Sequence, residues 1–476
     1  MRHSSTIFAA LTAAALSGCS SGPSFVQPLT VEANPNPAVP LAAVARFVSD
    51  RPAEAIVAVS DGERSWELRY DASRNPADGL PVVGMKAARK HEIRVRLRDA
   101  DGRETASPAV EYTTPALPPP PEEFPPIRVT ANEAGRVEPG YLLLAPRRSK
   151  VGNYKFGATF GMLMAIDEKG EAVWTYSSDV RISDFERLRN GNLLFVTLDH
   201  RLIEVDWLGN RKRVWYAADR PDGAVEGGIP VAGTATFHHE VDELPNGNIA
   251  VLGSVVREID NWYTSETDAR APRKRQKVMG DVVLEFEPES GRVVFEWNAF
   301  DHLPVERLAY ETFSGYWERR GFPGVLDWSH ANNLIYDGSD DSYLVNFRYQ
   351  AAIVKVSRKT GKIAWIVADP DDWGGLAAKV LRPVGDTRLP YHQHAPFPTE
   401  QGTLLVFDNG NYQSRPFRRP LEPRRTWTRA VEYRIDPAAG TIEQIWESET
   451  LGPDSVVSSA MGAVEQLPKT GNILAG

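Results

Sequence analysis

The chain has 476 residues, 42% of them hydrophobic, and a formal net charge of -9. That length exceeds one ordinary domain, and an acidic balance with no long basic run excludes a nucleic-acid partner, which would need clustered Lys and Arg. A single cysteine excludes an intramolecular disulfide and any metal site built on several thiolates.

In chain order, residues 1–18 combine a short basic start with an apolar run too short to span a bilayer, and Leu16, Ser17, Gly18 and Cys19 close it. This tetrapeptide resembles the bacterial lipobox, which implies removal of a signal peptide and lipidation of Cys19. By the same resemblance, Ser20 favours the outer membrane, so the expected location is the periplasmic face of the bacterial envelope. Residues 19–28 read as a polar tether. Residues 29–115 carry short alternating segments separated by turns such as Asp61-Gly62 and Asp101-Gly102, which predicts a small β-sandwich. Residues 116–137 form a proline-rich linker.

From 138 to 476 the chain repeats. Each unit ends on a strand carrying a tryptophan (Trp174, Trp215, Trp297, Trp365, Trp446), preceded by a turn with Gly170, Gly209, Gly291, Gly361 or Gly440. A period of roughly 40 residues or more with about four short strands is the pattern of a β-propeller blade. Five units are closed by tryptophan and a sixth begins near Ala463, so the expected fold class is all-β, a six-bladed β-propeller with its last blade apparently truncated. Residues 255–280 read as an inserted loop in the third unit, of a length that often covers a site.

Three histidines recur at one register: His239, His330 and His394 each lie eight residues before a glycine, Gly247, Gly338 and Gly402. Rotation about a propeller axis would bring them to one mouth of the central channel, with Arg348 at the end of the strand returning from His330. Register favours His239 over His238 and His394 over His392. A repeat position can also hold a packed polar residue for hydrogen bonding alone, but three at one register with Asn332 and Arg348 point to a site. Two chemistries fit. Three imidazoles can hold zinc, or Arg348 can grip an oxyanion while an imidazole attacks. Arg348 and the absence of an acidic residue at that register favour the anion, and no metal is expected.

The pairing of His330-Ala331-Asn332 with Arg348, and of Gln393-His394 with Phe407-Asp408-Asn409-Gly410, resembles the bacterial arylsulfate sulfotransferase family. The resemblance implies transfer of a sulfuryl group from an aryl sulfate to a phenol through a sulfohistidine, with no nucleotide donor and no cofactor. It makes His394 the nucleophile and places His239, His330, Asn332 and Arg348 on the sulfuryl oxygens, with His239 or His330 protonating the leaving phenolate. Tyr391 and His392 would line the aryl pocket, and Ser458 or Ser459 would supply a hydroxyl from the last blade. Partners are then small aryl sulfates and phenols, a membrane reached only through the lipid anchor, and no nucleic acid; a homodimer stays open. Lys359-Thr360-Gly361-Lys362 lacks the earlier glycine of a phosphate loop. The competing readings are aryl sulfate hydrolysis and a non-catalytic envelope propeller lipoprotein that binds partners.

Overall fold

The computed structural model describes residues 22–118, 124–133, 135–148, 157–421, 427–448 and 458–476. Cys19 and the whole of 1–18 lie outside the described residues. Two compact units are present, one of residues up to 35 together with 41–117, the other of 36–40 together with 118–476.

In the first unit two sheets share one apolar core. One is Phe25–Ala33, Ala43–Ser49 and Leu80–Val82; the other is built on Glu54–Ser60 and Lys90–Arg98. The strand Lys90–Arg98 shows why the sequence folds this way. His91, Ile93, Val95 and Leu97 are buried, and Lys90, Glu92 and Arg94 between them are exposed, the two-residue period of a half-buried strand.

The second unit is a succession of small, mostly antiparallel sheets in chain order. The first holds Leu142–Leu144, Gly161–Ile166 and Ala172–Ser178; the second runs from Ile182–Arg187 to Arg211–Ala217. The third runs from Thr236–Glu243 to Val293–Asn298 and the fourth from Ala331–Asp337 to Ile363–Val367. The fifth runs from His394–Pro398 to Thr441–Glu447, and the hairpin Val464–Gln466 with Ile473–Ala475 is the sixth. Short strands, Ile229–Val231, Val325–Asp327 and Arg382–Val384, add parallel to the second, third and fifth.

The first strands of the second to sixth sheets contact one another in series. Each leaves an edge of unpaired backbone donors, and carboxylates from the neighbouring first strand satisfy some of them. Val241 N donates to Asp184 at 3.1 Å, Glu243 N to Glu186 at 2.6 Å and Tyr336 N to Asp242 at 3.0 Å. Desolvation, and then repulsion by neighbouring carboxylates, pushes Glu186 up to about 8.

The closing tryptophans stitch the outer edges. Trp174 Nε1 donates to the carbonyl of Trp207, Trp215 Nε1 to that of Pro288 and Trp297 Nε1 to that of Gly361, each acceptor lying in a turn of the following sheet. The turns Asn190-Gly191-Asn192 and Asn246-Gly247-Asn248 use positive φ at glycine, and both asparagines of each turn donate to a buried carboxylate, Glu204 or Glu285. At the other end of the chain, the Glu138 carboxylate accepts from the N–H groups of Lys469 and Thr470.

The stretch 255–280, expected as a loop, is instead the outer half of a long hairpin, because Ile249–Trp262 and Lys274–Phe286 stay paired along almost their whole length. Alternation of Val256, Glu258 and Asp260 outward with Val255, Arg257 and Ile259 is a strand period that charge content obscured. At its tip the Glu266 carboxylate accepts from Glu311 N and Phe313 N, fixing the segment that covers the site described below.

Glu285 is the most heavily bonded of these carboxylates, taking Arg358 Nε and Nη2 at 2.7 and 2.8 Å and the Tyr343 hydroxyl besides the two asparagines. Burial opposes its charge, but Arg358 and the asparagines outweigh it and hold the carboxyl down to about 2. Its contribution is therefore full above the ordinary glutamate range, about pH 4.3, and decays as pH falls toward 2. Glu285→Ala is expected to cost about 3 kcal/mol in denaturant unfolding at pH 7, whereas Glu289→Ala on the surface should cost under about 0.5 kcal/mol. Equal, small losses for both would contradict the assignment.

Candidate active site

A cavity of about 270 Å³ in the second unit is walled by His200, His238, His239, His330 and His394, together with Arg348, Tyr316, Trp317, Tyr349 and Met461. Its histidines arrive through irregular backbone. Strand pairing slips between Phe237 and Val241, between Ala331 and Asn333, and between His394 and Phe397. A bulge re-aims the side chains beside it. The strain is visible in positive φ at His239 (57°) and His330 (46°) on the cavity wall and at Ala395 (43°) beside His394, values costly for residues with a Cβ.

Three imidazoles are each held through Nδ1 by a neighbouring side chain. His394 Nδ1 lies 2.6 Å from Asn409 Oδ1. The Asn409 amide nitrogen donates to the carbonyls of Ser458 and Met461, which fixes its oxygen toward the ring, so the Nδ1 proton belongs to His394. His330 Nδ1 lies 2.6 Å from Asp327 Oδ2, and desolvation, then the charge of Asp281, pushes the Asp327 carboxyl well above its ordinary range, so the two groups share one proton. His239 Nδ1 lies 2.9 Å from His238 Nδ1. His238 Nε2 faces the Gly253 carbonyl at 3.2 Å and the Asp281 carboxylate at 3.2 Å, which requires a proton on Nε2 and leaves its Nδ1 to accept. We therefore assign His394 and His239 the Nδ1–H tautomer, with the Nε2 lone pair unprotonated.

Burial, then the charge of Arg348, pushes His394 down to about 3. Burial also holds His330 and His239 well below the ordinary histidine range, with Arg348 second for His330 and His238 second for His239. All three are neutral at physiological pH. The His394 Nε2 lone pair accepts from the Met461 N–H at 3.2 Å. Arg348 is 3% exposed, pairs with Glu311 at 2.6 Å and donates to the Ser459 carbonyl at 3.0 Å. Among the described residues, no group of three or more His, Cys, Asp or Glu is placed to hold a metal ion.

The structure thus brings His239, His330, Arg348 and His394 to one cavity, but not Asn332, His392 or Tyr391, which are absent from its lining. Asn332 Nδ2 donates to the Gln393 carbonyl and its oxygen accepts from Asn346, so it splices the fourth sheet to the fifth. His392 packs between Tyr349 and Tyr412, and the Tyr391 hydroxyl turns to Asp369 at 3.4 Å. The Ser458 hydroxyl donates to the carbonyls of Ala460 and Met461, and Ser459 serves through its backbone carbonyl, so this segment reaches the site by main chain. Arg348 does not offer a free fork, since Glu311 and Ser459 already engage two of its nitrogens.

Sequence reasoning set His238 aside in favour of His239, gave Asn409 no role although it stands in a quoted motif, and passed over His200, Asp327, Tyr316 and Tyr349. Asp327 stands three residues before His330 and Asn409 two after Phe407, so both were readable as neighbours of a recurring motif. His200 enters from a turn between strands, off the register that found the others.

The family model for arylsulfotransferase (ASST) matches residues 132–476. The chain belongs to the arylsulfotransferase family. It is 28% identical over 275 residues to the arylsulfate sulfotransferase AssT of Escherichia coli O6:H1, covering 49% of this chain and 44% of that protein. It is 34% identical over 145 residues to the AssT of Lelliottia amnigena, covering 27% and 24%. The matched region spans less than half the length of either relative. Among solved structures, hydrazine synthase of Kuenenia stuttgartiensis aligns over 81% of this chain and 91% of that one, at 11% identity and a TM-score of 0.35.

The tautomer assignment has a direct check. Nitrogen-15 NMR of the imidazoles at pH 7 should show His239 and His394 as neutral Nδ1–H rings and His330 as neutral, with His394 still neutral at pH 5. An Nε2–H tautomer or an imidazolium at His394 under those conditions would overturn it.

Proposed function

We propose that the chain transfers a sulfuryl group from an aryl sulfate to a phenolic acceptor in two displacement steps, with His394 as the nucleophile. The observation that carries this reading is the pair of bonds on the His394 ring: Asn409 holds the Nδ1 proton, which leaves Nε2 as a lone pair on the cavity wall. In the first step that lone pair forms an N–S bond while the S–O(aryl) bond breaks and its electrons leave as phenolate. The Met461 N–H must release Nε2 for this to happen. In the second step the acceptor phenol attacks sulfur, its proton passes to a base, and the N–S electrons return to His394.

His330 suits the proton-transfer role. Asp327 at 2.6 Å shares a proton with its Nδ1, because burial pushes that carboxyl well above its ordinary range and holds the imidazole well below its own. A phenol with a pKa of about 10 needs little help to leave. Charge on the transferred SO3 is spread over three oxygens, so preorganised positive charge near Arg348 is the main stabilising term. We also propose that the six sheets form a closed six-bladed ring. The serial contacts of the first strands and the bonds from Glu138 to Lys469 and Thr470 support it. In this reading Cys19 carries the lipid that holds the enzyme at the periplasmic face of the envelope.

Turnover of a chromogenic aryl sulfate should rise when a phenol is added. His394→Ala is expected to lower it by at least about a thousandfold, in the range seen when a nucleophile is removed. Release of the chromophore that is indifferent to phenol would point to hydrolysis, and absence of any release to a non-catalytic protein.

A further inference from the structure

Behind His239, a chain of buried polar groups leads from the cavity wall into the third sheet. His238 Nδ1 lies 2.9 Å from His239 Nδ1. His238 Nε2 is faced by the Ser254 hydroxyl at 2.9 Å and by the Gly253 carbonyl and the Asp281 carboxylate, each at 3.2 Å. The Ser254 hydroxyl has Asp281 Oδ1 as its own acceptor at 3.3 Å. Ser254 and Asp281 stand opposite each other on the two strands of the long hairpin, so the pairing register delivers both to His238. Asp281 is 2% exposed, and its other oxygen, Oδ2, accepts from the Ser329 hydroxyl and the Ala331 N–H, both at 2.5 Å. A buried backbone donor leaves no choice at that point, which has to be an acceptor.

Three acceptors around one ring nitrogen place the His238 proton on Nε2, and His239 then has to keep its own on Nδ1. Burial, and then the charge of His238, holds His239 well below the ordinary histidine range, so its ring is neutral and Nε2 is a lone pair. A lone pair cannot donate to a sulfuryl oxygen, but it accepts from a hydroxyl. His239 is also the ring left partly exposed, whereas His330 and His394 are buried. His394 Nε2 is capped by the Met461 N–H, and the His330 ring has Tyr316 edge-on and Tyr349 stacked against it. An incoming hydroxyl therefore meets His239 most easily.

We propose that Asp281, acting through His238, is a positioning residue for the acceptor half of the reaction: it keeps the His239 proton on Nδ1, so that Nε2 receives the hydroxyl of the incoming phenol. This deepens the sulfotransferase reading and rests on it for the identity of the phenol. As the phenol oxygen bonds to sulfur and the N–S electrons return to His394, the phenol proton passes to His239 Nε2. The positive charge so formed is stabilised through Nδ1–H and His238 by Asp281. His330 then serves the departing phenolate of the first step, and the proton it gives and the proton His239 takes balance over the cycle through solvent. That first step needs no lone pair at His239, so Asp281 acts on one half-reaction only.

Asp281→Asn in the full chain tests this, because the Ala331 N–H must still meet an oxygen, which turns the new amide NH2 toward His238 Nε2. His238 should then carry its proton on Nδ1 and His239 on Nε2, as read by nitrogen-15 NMR. In rapid-quench mixing with an aryl sulfate, the variant should form the sulfuryl adduct within about threefold of the wild-type rate, while discharge by phenol slows at least about a hundredfold. Pentafluorophenol is already ionised at neutral pH and needs no lone pair to meet it, so with that acceptor the gap should fall below about threefold. His238→Phe keeps a ring beside Trp317 but removes the acceptor of the His239 proton, so it should show the same dependence on acceptor, and it decides the matter if Asp281→Asn does not fold. An Nδ1–H ring at His239 in folded Asp281→Asn, or equal slowing with both acceptors in either variant, would overturn the proposal. A wild type that forms no adduct would sink the sulfotransferase reading, while the ring tautomers would still decide what Asp281 does.

Discussion

Everything in the cavity depends on where three imidazole protons are kept. Asn409 and His238 accept the Nδ1 protons of His394 and His239, and Asp327 shares one with His330. The partners differ in kind, and that difference separates the roles. A neutral amide orients His394 without raising its basicity much, which suits a nucleophile that must later leave sulfur. A carboxyl that burial pushes well above its ordinary range shares its proton with His330, which suits a group that takes and returns a proton. His239 sits on a relay through His238 to Asp281.

The fold supplies these acceptors from different places, and so the site cannot be assembled by any one sheet. Asn409 follows the second strand of the fifth sheet, Asp327 ends a short strand added to the third, and His238 lies in the bulged first strand of the third. Contacts between successive first strands, and the carboxylates that satisfy their edge donors, set the spacing on which the three rings depend. The long hairpin of the third sheet adds the cover, because its tip carboxylate Glu266 holds the backbone of 311–313 and with it Glu311, the partner of Arg348.

Much of this was legible in the sequence and some was not, for identifiable reasons. The tryptophan-closed units and the two-residue alternation gave an all-β chain of small sheets, because burial periodicity is a local signal. The eight-residue interval from histidine to glycine found His239, His330 and His394, since it counts residues along one strand and its turn. The resemblance also placed Asn332, His392 and Tyr391 in the site, but Asn332 sits in a bulge and bonds the Gln393 carbonyl, and His392 and Tyr391 meet Tyr412 and Asp369 instead. The interval could not find His238, His200 or Tyr316, which meet the cavity from turns and from other positions on their strands. Long-range pairing decides those, and no single segment encodes it.

The central claim is that His394 becomes covalently sulfurylated, and trapping that species tests it most directly. The full chain mixed with an aryl sulfate in the absence of acceptor and quenched within its first turnover should gain one sulfuryl group in intact mass, and peptide mapping should place it on His394. Addition of a phenol before the quench should discharge it. An adduct on another residue, or turnover to aryl sulfate product with no covalent species at any time, would contradict the account.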